Sequence, residues 1–490
     1  MKKFIKLIKN KWLRQKSLTI LLVVLIILVF VALNMWVQNL KLNPIDFTKE
    51  KIYSLSDKSK EEVAKVEQNV NMYFFGYSDS ATTVILGKQY ESVNPKIHVE
   101  LVSTSERPDL AAEYGVSSSS QLVAVSSSQR YKVVDASEMY SYDQEEGKTV
   151  DITEQKLTNA ILDVTVASKP KVYFLTGHGE YGIDSSSGLM YYLSQYIVND
   201  VNDVDTLDLL TSEMPEQCDC LIIANPTEDF TDIETEKIQN YINNGGKIMW
   251  MQDPYINIQN YDESKYPNVN KILGEYGIKF SKGIVCEESA DNMVYSYPDL
   301  IVPSLTYNSI VKDIYSDGKI VMCDSGRITN VSDEEMEKLN VTATPFVKSY
   351  ETSFYKENLA SGSSYLKKED GDEEGPFILG ETLAKKIDDE HTSTLVAYSD
   401  AFFATNYPVQ IGSTQTYPIT FRNNKDLLLN TVAYLTNRED VIGIRKDTGV
   451  VNFTAATETQ DRIVKAIIFI VPLVIILAGI IISVVRKRKK

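Results

Sequence analysis

Between Lys171 and Gly182 the chain reads KVYFLTGHGEYG, an apolar run that stops at a loop holding three glycines, a histidine and a carboxylate. Val172, Tyr173, Phe174 and Leu175 are β-formers without a polar break, the pattern of a strand covered on both faces in the parallel sheet of an α/β domain. The loop after such a strand lies at the sheet's carboxyl edge, where open α/β sheets bind ligands. Thr176, His178 and Glu180 are therefore candidate ligand-binding residues. Gly177, Gly179 and Gly182 also spell G-x-G-x-x-G, but a dinucleotide fingerprint needs a helix that starts inside the motif, so that its amides meet the pyrophosphate. Here Ile183 to Gly188, IDSSSG, precedes the next helical pattern, and Glu180 would set a negative charge against phosphate. The glycines are read as permitting a tight turn, and no cofactor is expected.

Strands and helices alternate around this run. Thr153 to Ala167 predicts an amphipathic helix leading into it, and Gly188 to Asn199 a second helix. Val204 to Leu210 and Leu221 to Ala224 read as strands, the latter ending at Asn225 and Pro226. Thr231 with Glu234 forms a capping box for a helix reaching about Asn243, where Gly245 and Gly246 end it, and Lys247 to Gln252 is the next strand. This spacing predicts a parallel sheet with right-handed crossovers. Asp253 closes its strand at the same edge as the GHGE loop, so His178, Glu180, Asn225 and Asp253 form a candidate cluster. No Ser or Cys sits at a G-x-S-x-G elbow, and one histidine with two carboxylates from separate strands is not a metal-ligand pattern, so binding or structural roles are expected and no catalytic or metal-ligating residue is named. From Asp291 to Tyr355 short apolar runs predict mixed strands. Ser361 to Gly375, which contains KKEDGDEEG, reads as a mobile loop. Ser393 to Tyr398 and the helix Asn424 to Leu435 are expected to complete the sheet begun at Lys171.

Ahead of that unit, Ser56 or Asp57 can cap a helix with Val63 and Val66 inward. Strand Val70 to Phe75, helix Ala81 to Ser92, strand Lys96 to Val102 with Ile97, Val99 and Leu101 on one face, helix Pro108 to Tyr114, and strands Gln121 to Val125 and Tyr131 to Val134 follow. The order β-α-β-α-β-β suggests a thioredoxin-like layout, without the redox cysteines. His98, on the polar face of its strand, and His391, in DDEHT, read as solvated. Gly147, Lys148 and Thr149 imitate the end of a P-loop, but the first glycine would fall at Tyr142 among acidic residues. Cys218, Cys220, Cys286 and Cys323 show no zinc spacing. Pairing of Cys286 with Cys323 stays open.

The ends are of another kind. Ser17 to Leu40 is 24 residues without a charge, reaching about 36 Å, enough for a hydrocarbon core of roughly 30 Å. Ala466 to Val485 is a second such run. Seven cations from Lys2 to Lys16 precede the first, and Arg486 to Lys490 follow the second. Cations flank membranes on the cytoplasmic side, so both termini are expected inside and the main domain outside, with the first run an uncleaved anchor. Once these twelve cations are set aside, 38 Lys and Arg stand against 67 Asp and Glu, a balance of −29. Such an acidic ectodomain argues against nucleic acid as a partner, whereas the basic tails suit a lipid membrane.

Taken together, IDFTKEKIYSLSDKSKEEV after the first span, TEQKLTNAIL followed by KVYFLTGHGE, LIIANPTEDFTDIETEKIQNYINNGGKIMWMQDP, and SDAFF with NKDLLLNTVAYLTNRED resemble the gliding-motility auxiliary component of ABC transporters, the GldG-like family. The resemblance implies an extracytoplasmic GIFT-type domain, akin to class I glutamine amidotransferase folds but without their nucleophilic cysteine. It implies an auxiliary subunit beside an ABC permease and a cytoplasmic ATPase, in a bacterial cell membrane. The expected organisation is a basic tail 1–16, a span 17–40, a thioredoxin-like α/β domain 41–150 and a GIFT-like domain 151–440. A linker 441–465, a span 466–485 and a tail 486–490 complete it. Two other readings stand beside it: a membrane-anchored receptor binding glycan through some of the 29 tyrosines, and an extracellular hydrolase using Glu180 and Asp253.

Overall fold

The structure, a computed structural model, describes Leu25, Leu28 and residues 54–438 apart from the segments 118–119, 144–147, 256–261, 313, 315–318, 358–365 and 412–413. Apart from Leu25 and Leu28, both expected spans lie outside the described residues, as do the two tails, the linker 441–465 and the P-loop-like Gly147. Among the described residues no helix is long and apolar enough to cross a membrane.

The first sheet has four strands, β1 (Val70–Phe75), β2 (Ile97–Val102), β3 (Gln121–Ser126) and β4 (Tyr131–Asp135), in the order β2-β1-β3-β4. β1 and β2 are parallel, joined by helix α2 (Thr82–Val93), and the other pairs are antiparallel. Helix α1 (Asp57–Ala64) begins at Ser56, whose side chain accepts from the Ser59 amide. The short helix α3 (Pro108–Glu113) starts on its proline, which needs no amide partner there. The strand alternation expected in β2 holds for Ile97 and Val99 but not for Leu101, which is 38% exposed at this sheet edge. Val102 is buried instead, on the opposite face with Phe75, Leu110 and Val123. Helix α4 (Thr153–Thr165), grouped by sequence with the segment after it, sets Leu157, Ala160, Ile161 and Val164 into the core of this first sheet beside Val70, Met72 and Tyr90.

The KVYFL run is β5 (Lys171–Leu175) of a ten-stranded sheet. It lies between β6 (Asp203–Leu207) and β7 (Cys220–Ala224), and β7 pairs with β8 (Lys247–Met251), all parallel. Both faces of β5 are covered, as its unbroken pattern requires. Val172 and Phe174 pack with helices α5 (Tyr191–Asn199) and α9 (Asn424–Leu435) on one side. Leu175 packs with helices α6 (Asp232–Asn243) and α7 (Pro267–Gly274) on the other. The predicted closing strand is β14 (Thr392–Tyr398), parallel to β8.

Beyond β14 the expected all-parallel sheet becomes mixed. β9 (Ile278–Phe280), β10 (Ser304–Leu305), β11 (Ile328–Asn330), β12 (Val341–Lys348) and β13 (Ile378–Lys386) extend it through antiparallel pairs. Helix α8 (Asp333–Leu339), opened by a Ser332–Glu335 capping box, lies between β11 and β12. The connection 387–391 is too short for a crossover, so β13 must run against β14. The acidic stretch read as a mobile loop is pinned in its described half. Lys356, 2% exposed, places Nζ 2.7 Å from Glu369 and 3.0 Å from Asp372, because a buried ammonium requires anionic partners. All four cysteines are free thiols.

Candidate functional site

From β5 the chain turns through α5 to β6 on one flank, then crosses to β7 on the other. The carboxyl ends of β5 and β7 thus form a topological switch point, the position where open α/β sheets bind ligands. The GHGE loop and the loop after β7 meet there. His178 O accepts from the amides of Thr227 at 2.8 Å and Glu228 at 3.0 Å, and the Tyr181 amide donates to Ala224 O at 2.9 Å. This close approach needs glycine. Gly177 and Gly179 have φ of +125° and +77°, and a Cβ on Gly179 would lie 2.1 Å from Thr227 Oγ1. No helix begins in the motif, since α5 starts only at Tyr191.

His178 lies between two carboxylates. Nε2 is 3.1 Å from Glu234 Oε2, and Nδ1 is 3.6 Å from Glu180 Oε1, with both glutamate side chains 1% exposed. Glu180 also accepts the His178 amide at 2.7 Å, which folds the loop onto itself. Glu234 Oε2 accepts from the Thr231 amide at 2.9 Å and from Thr231 Oγ1 at 2.6 Å, so the capping box of α6 holds the carboxylate that receives the imidazole. Phe230 packs edge-on against the ring, with centroids 4.9 Å apart. Glu180 foremost, then Glu234, raises the pKa of His178 against the opposing effect of burial. The ring is thus enclosed between carboxylates from two loops, an arrangement that favours its protonated form.

Asn225 and Asp253 make a second set. Asn225, at φ +58°, accepts on Oδ1 from Gln252 Nε2 at 2.8 Å and from the Asp253 amide at 3.3 Å. Asp253 accepts from the Ala401 and Phe402 amides at 2.7 and 2.9 Å, and from Tyr181 Oη at 2.5 Å. Asp400, fully buried beside it, caps Phe403 at 2.8 Å and the Cys323 amide. Burial pushes the pKa of both aspartates up, that of Asp400 well up, with Asp253 adding to the effect on Asp400. Asp324, next along this edge, is raised to about 7, first by burial and then by Asp299.

The five sequence candidates therefore divide. His178 and Glu180 converge with Glu234, Asn225 and Asp253 converge with Tyr181, and Thr176 joins neither, its amide and hydroxyl turning to Leu207 O. Glu180 and Asp253, the pair of the hydrolase reading, stand in separate hydrogen-bond sets, and neither ring nitrogen of His178 meets a serine or cysteine. The hydrogen bonds of both sets fasten loops, whereas His178 Nδ1, Glu180 Oε1 and Glu234 Oε1 are buried without a hydrogen-bond partner. Sequence marked Glu234 only as a cap. A partner 56 positions from His178 leaves no local signal, whereas Tyr181 stood inside the quoted motif. His391 is exposed and bonded to Asp388, and His98 is exposed, as expected.

Residues 169–298, from just before β5 through β9 to Pro298, match the model of a family described as an ABC-type uncharacterized transport system. A comparison with curated proteins gave no match. Among solved structures, the N-terminal domain of mmIFT52 aligns with 54% of this chain and 97% of its own at 15% identity and a TM-score of 0.37. A ThuA-like protein from Bacteroides uniformis aligns with 55% of this chain and 93% of its own at 12% identity and 0.32. A domain of the alkylhydroperoxide reductase AhpF from Enterococcus faecalis aligns with 34% of this chain and 82% of its own at 13% identity and 0.18. All three scores are below 0.5, so the fold rests on the strand order given above.

Proposed function

We propose that this protein is a non-catalytic auxiliary subunit of an ABC-type transport system, of the GldG-like kind with a GIFT-type outer domain. The match of residues 169–298 to an ABC-transport family carries the reading, since that segment holds β5, the GHGE loop and the capping box. In this reading two spans anchor the chain in a bacterial cell membrane with both termini cytoplasmic. The basic ends and charge-free runs support that topology, and Leu25 and Leu28 are helical and more than half exposed. The outer domain recognises cargo or gates the permease from outside, while a cytoplasmic ATPase supplies the energy. Tethering at both ends would hold it near the permease at high effective concentration. The enclosed His178 and Asp253 sets suit a scaffold that transmits force more than a site that turns over substrate. Purification in mild detergent through a tag after Lys490 should bring down a polytopic permease and an ATPase. Repeated recovery of the protein alone after crosslinking in intact cells would overturn the proposal in favour of a free-standing glycan receptor.

A further inference from the structure

Strand β2 is an open edge of the first sheet. Among the described residues it pairs with β1 alone, in an unbroken parallel register from Ile97 to Val102. The Val70 amide donates to Lys96 O at 2.9 Å and the Gly76 amide to Val102 O at 3.3 Å, so the even-numbered residues of β2 turn their main-chain groups to β1. The amides and carbonyls of Val99 and Leu101 therefore point away from the sheet. Neither a proline nor a bulge interrupts that row, and the flanking Lys96 turns Nζ back to Glu67 O at 2.6 Å. Leu101 adds an exposed apolar side chain to the same rim.

The residues along this rim are self-complementary. In an antiparallel pair of two β2 strands centred on Val99, each His98 stands opposite Glu100 of the other copy and each Ile97 opposite Leu101. The main chain has the same parity. Val99 meets Val99, the two exchanging both bonds, each Leu101 amide meets an Ile97 carbonyl, and His98 and Glu100 fall at the closer, non-hydrogen-bonded positions. Both polar side chains are exposed, and Glu100 is held only loosely by Arg107, whose Nη1 lies 4.0 Å away while its Nη2 binds Asp109 at 2.9 Å. Moving the centre to His98 or to Glu100 sets like side chains against each other. Other edges lack the match. On β6, a centre at Val204 or Asp205 opposes carboxylates, and on β4 a centre at Val133 sets Lys132 against Val134.

We infer that β2 is a docking edge for a second copy of this chain, which adds its own β2 antiparallel and joins the two four-stranded sheets across a two-fold axis. The inference goes beyond the proposed transport role and needs only the open strand. One strand pair is a small interface, so it closes best where both copies share a bilayer at high effective concentration. That aid alone rests on the two-span reading.

The full chain in lipid vesicles, in a Cys218→Ser background, tests interface and register together. Copies carrying His98→Cys mixed with copies carrying Glu100→Cys should crosslink on mild oxidation about fivefold faster than either kind alone, since only the mixed pair stands at directly opposed positions. Val99→Pro removes an amide that the ladder to β1 does not use, and should lower energy transfer between copies dye-labelled at a tag after Lys490 several-fold. Should that variant fail to fold, charge decides: His98→Glu should lower the transfer and the added Glu100→Lys should restore it. Absence of crosslinks, or equal crosslinking of like and mixed copies, overturns the inference. Failure of the chain to float with the vesicles overturns the two-span reading instead, and the same mixed crosslinking at high concentration in detergent then decides the inference by the same outcomes.

Discussion

His178 Nε2 and Glu234 Oε2 lie 3.1 Å apart although one belongs to a glycine loop and the other to the first turn of a helix on a different crossover. The contact joins the two loops of the switch point, so the strength with which they hold together depends on one proton.

Because the folded state raises the His178 pKa, it retains that proton to higher pH than the unfolded chain. The stabilisation is complete below the ordinary histidine value near 6.5 and is lost as pH rises through the folded value. The unfolding temperature should therefore fall as pH rises above about 6.5, and His178→Gln should flatten that part of the profile. At pH 6 the substitution should cost about 3 kcal/mol, the scale of one partner removed from a buried ionic set. An unchanged profile would exclude the imidazolium bridge.

Gly179→Ala should lose roughly 1–3 kcal/mol, since it meets Thr227 Oγ1 and also takes a left-handed backbone angle. Adding Thr227→Ala should restore only part of the loss, because it removes the clash and leaves the angle. Gly177→Val tests the angle alone, with no side chain nearer than 4.0 Å. Urea denaturation of the three variants would separate the two contributions.

Glu381 is wholly buried in β13, bonded to Asn330 Nδ2 at 3.0 Å, and burial raises its pKa to about 7. For a carboxyl raised in the fold, stability is present at low pH and declines as pH climbs from the unfolded value through 7. Glu381→Gln should therefore leave stability near pH 5 almost unchanged and raise it at pH 8, by up to about 3 kcal/mol. Loss of stability at pH 8 would show that the ionised form is the one the fold prefers.

Lys356→Met should free the acidic stretch after Leu366, since both Glu369 and Asp372 lose their cation. Limited proteolysis should then cut within 366–375 several-fold faster, while the rest of the domain resists.

Topology is tested separately. In intact cells a thiol probe should reach Asn244→Cys and miss Lys3→Cys and Lys489→Cys. Labelling of either end from outside would reverse the orientation drawn from the basic flanks.

Much of this was legible locally. The β5 run, the Thr231–Glu234 box and the helix Asn424–Leu435 lie where their periodicity and caps place them, because burial pattern and capping are short-range signals. The GHGE loop was legible as a turn from its glycines, yet not as one half of a bridge, because Glu234 is brought to His178 only by the crossover. The antiparallel half of the sheet was hidden for the opposite reason. Its strands are short and irregular, and their direction follows from connection length more than from composition. The acidic stretch looked mobile because nothing in KKEDGDEEG announces Lys356, a buried cation thirteen residues from Glu369.

β8 and β14 are neighbours, with Met249 opposite Val396, although residues 252–391 separate them along the chain. The order of synthesis therefore matters. β8 is made early and waits with an unpaired edge until β14 emerges, an interval on the order of ten seconds at about 5–20 residues per second. During that time a parallel strand edge rich in Ile248, Met249 and Trp250 is open to any other strand. The Asp253 side chain likewise lacks the Ala401 and Phe402 amides that hold it in the finished fold. Misassembly is thus concentrated in one window of the chain's production, which closes when the last strand slides in beside β8.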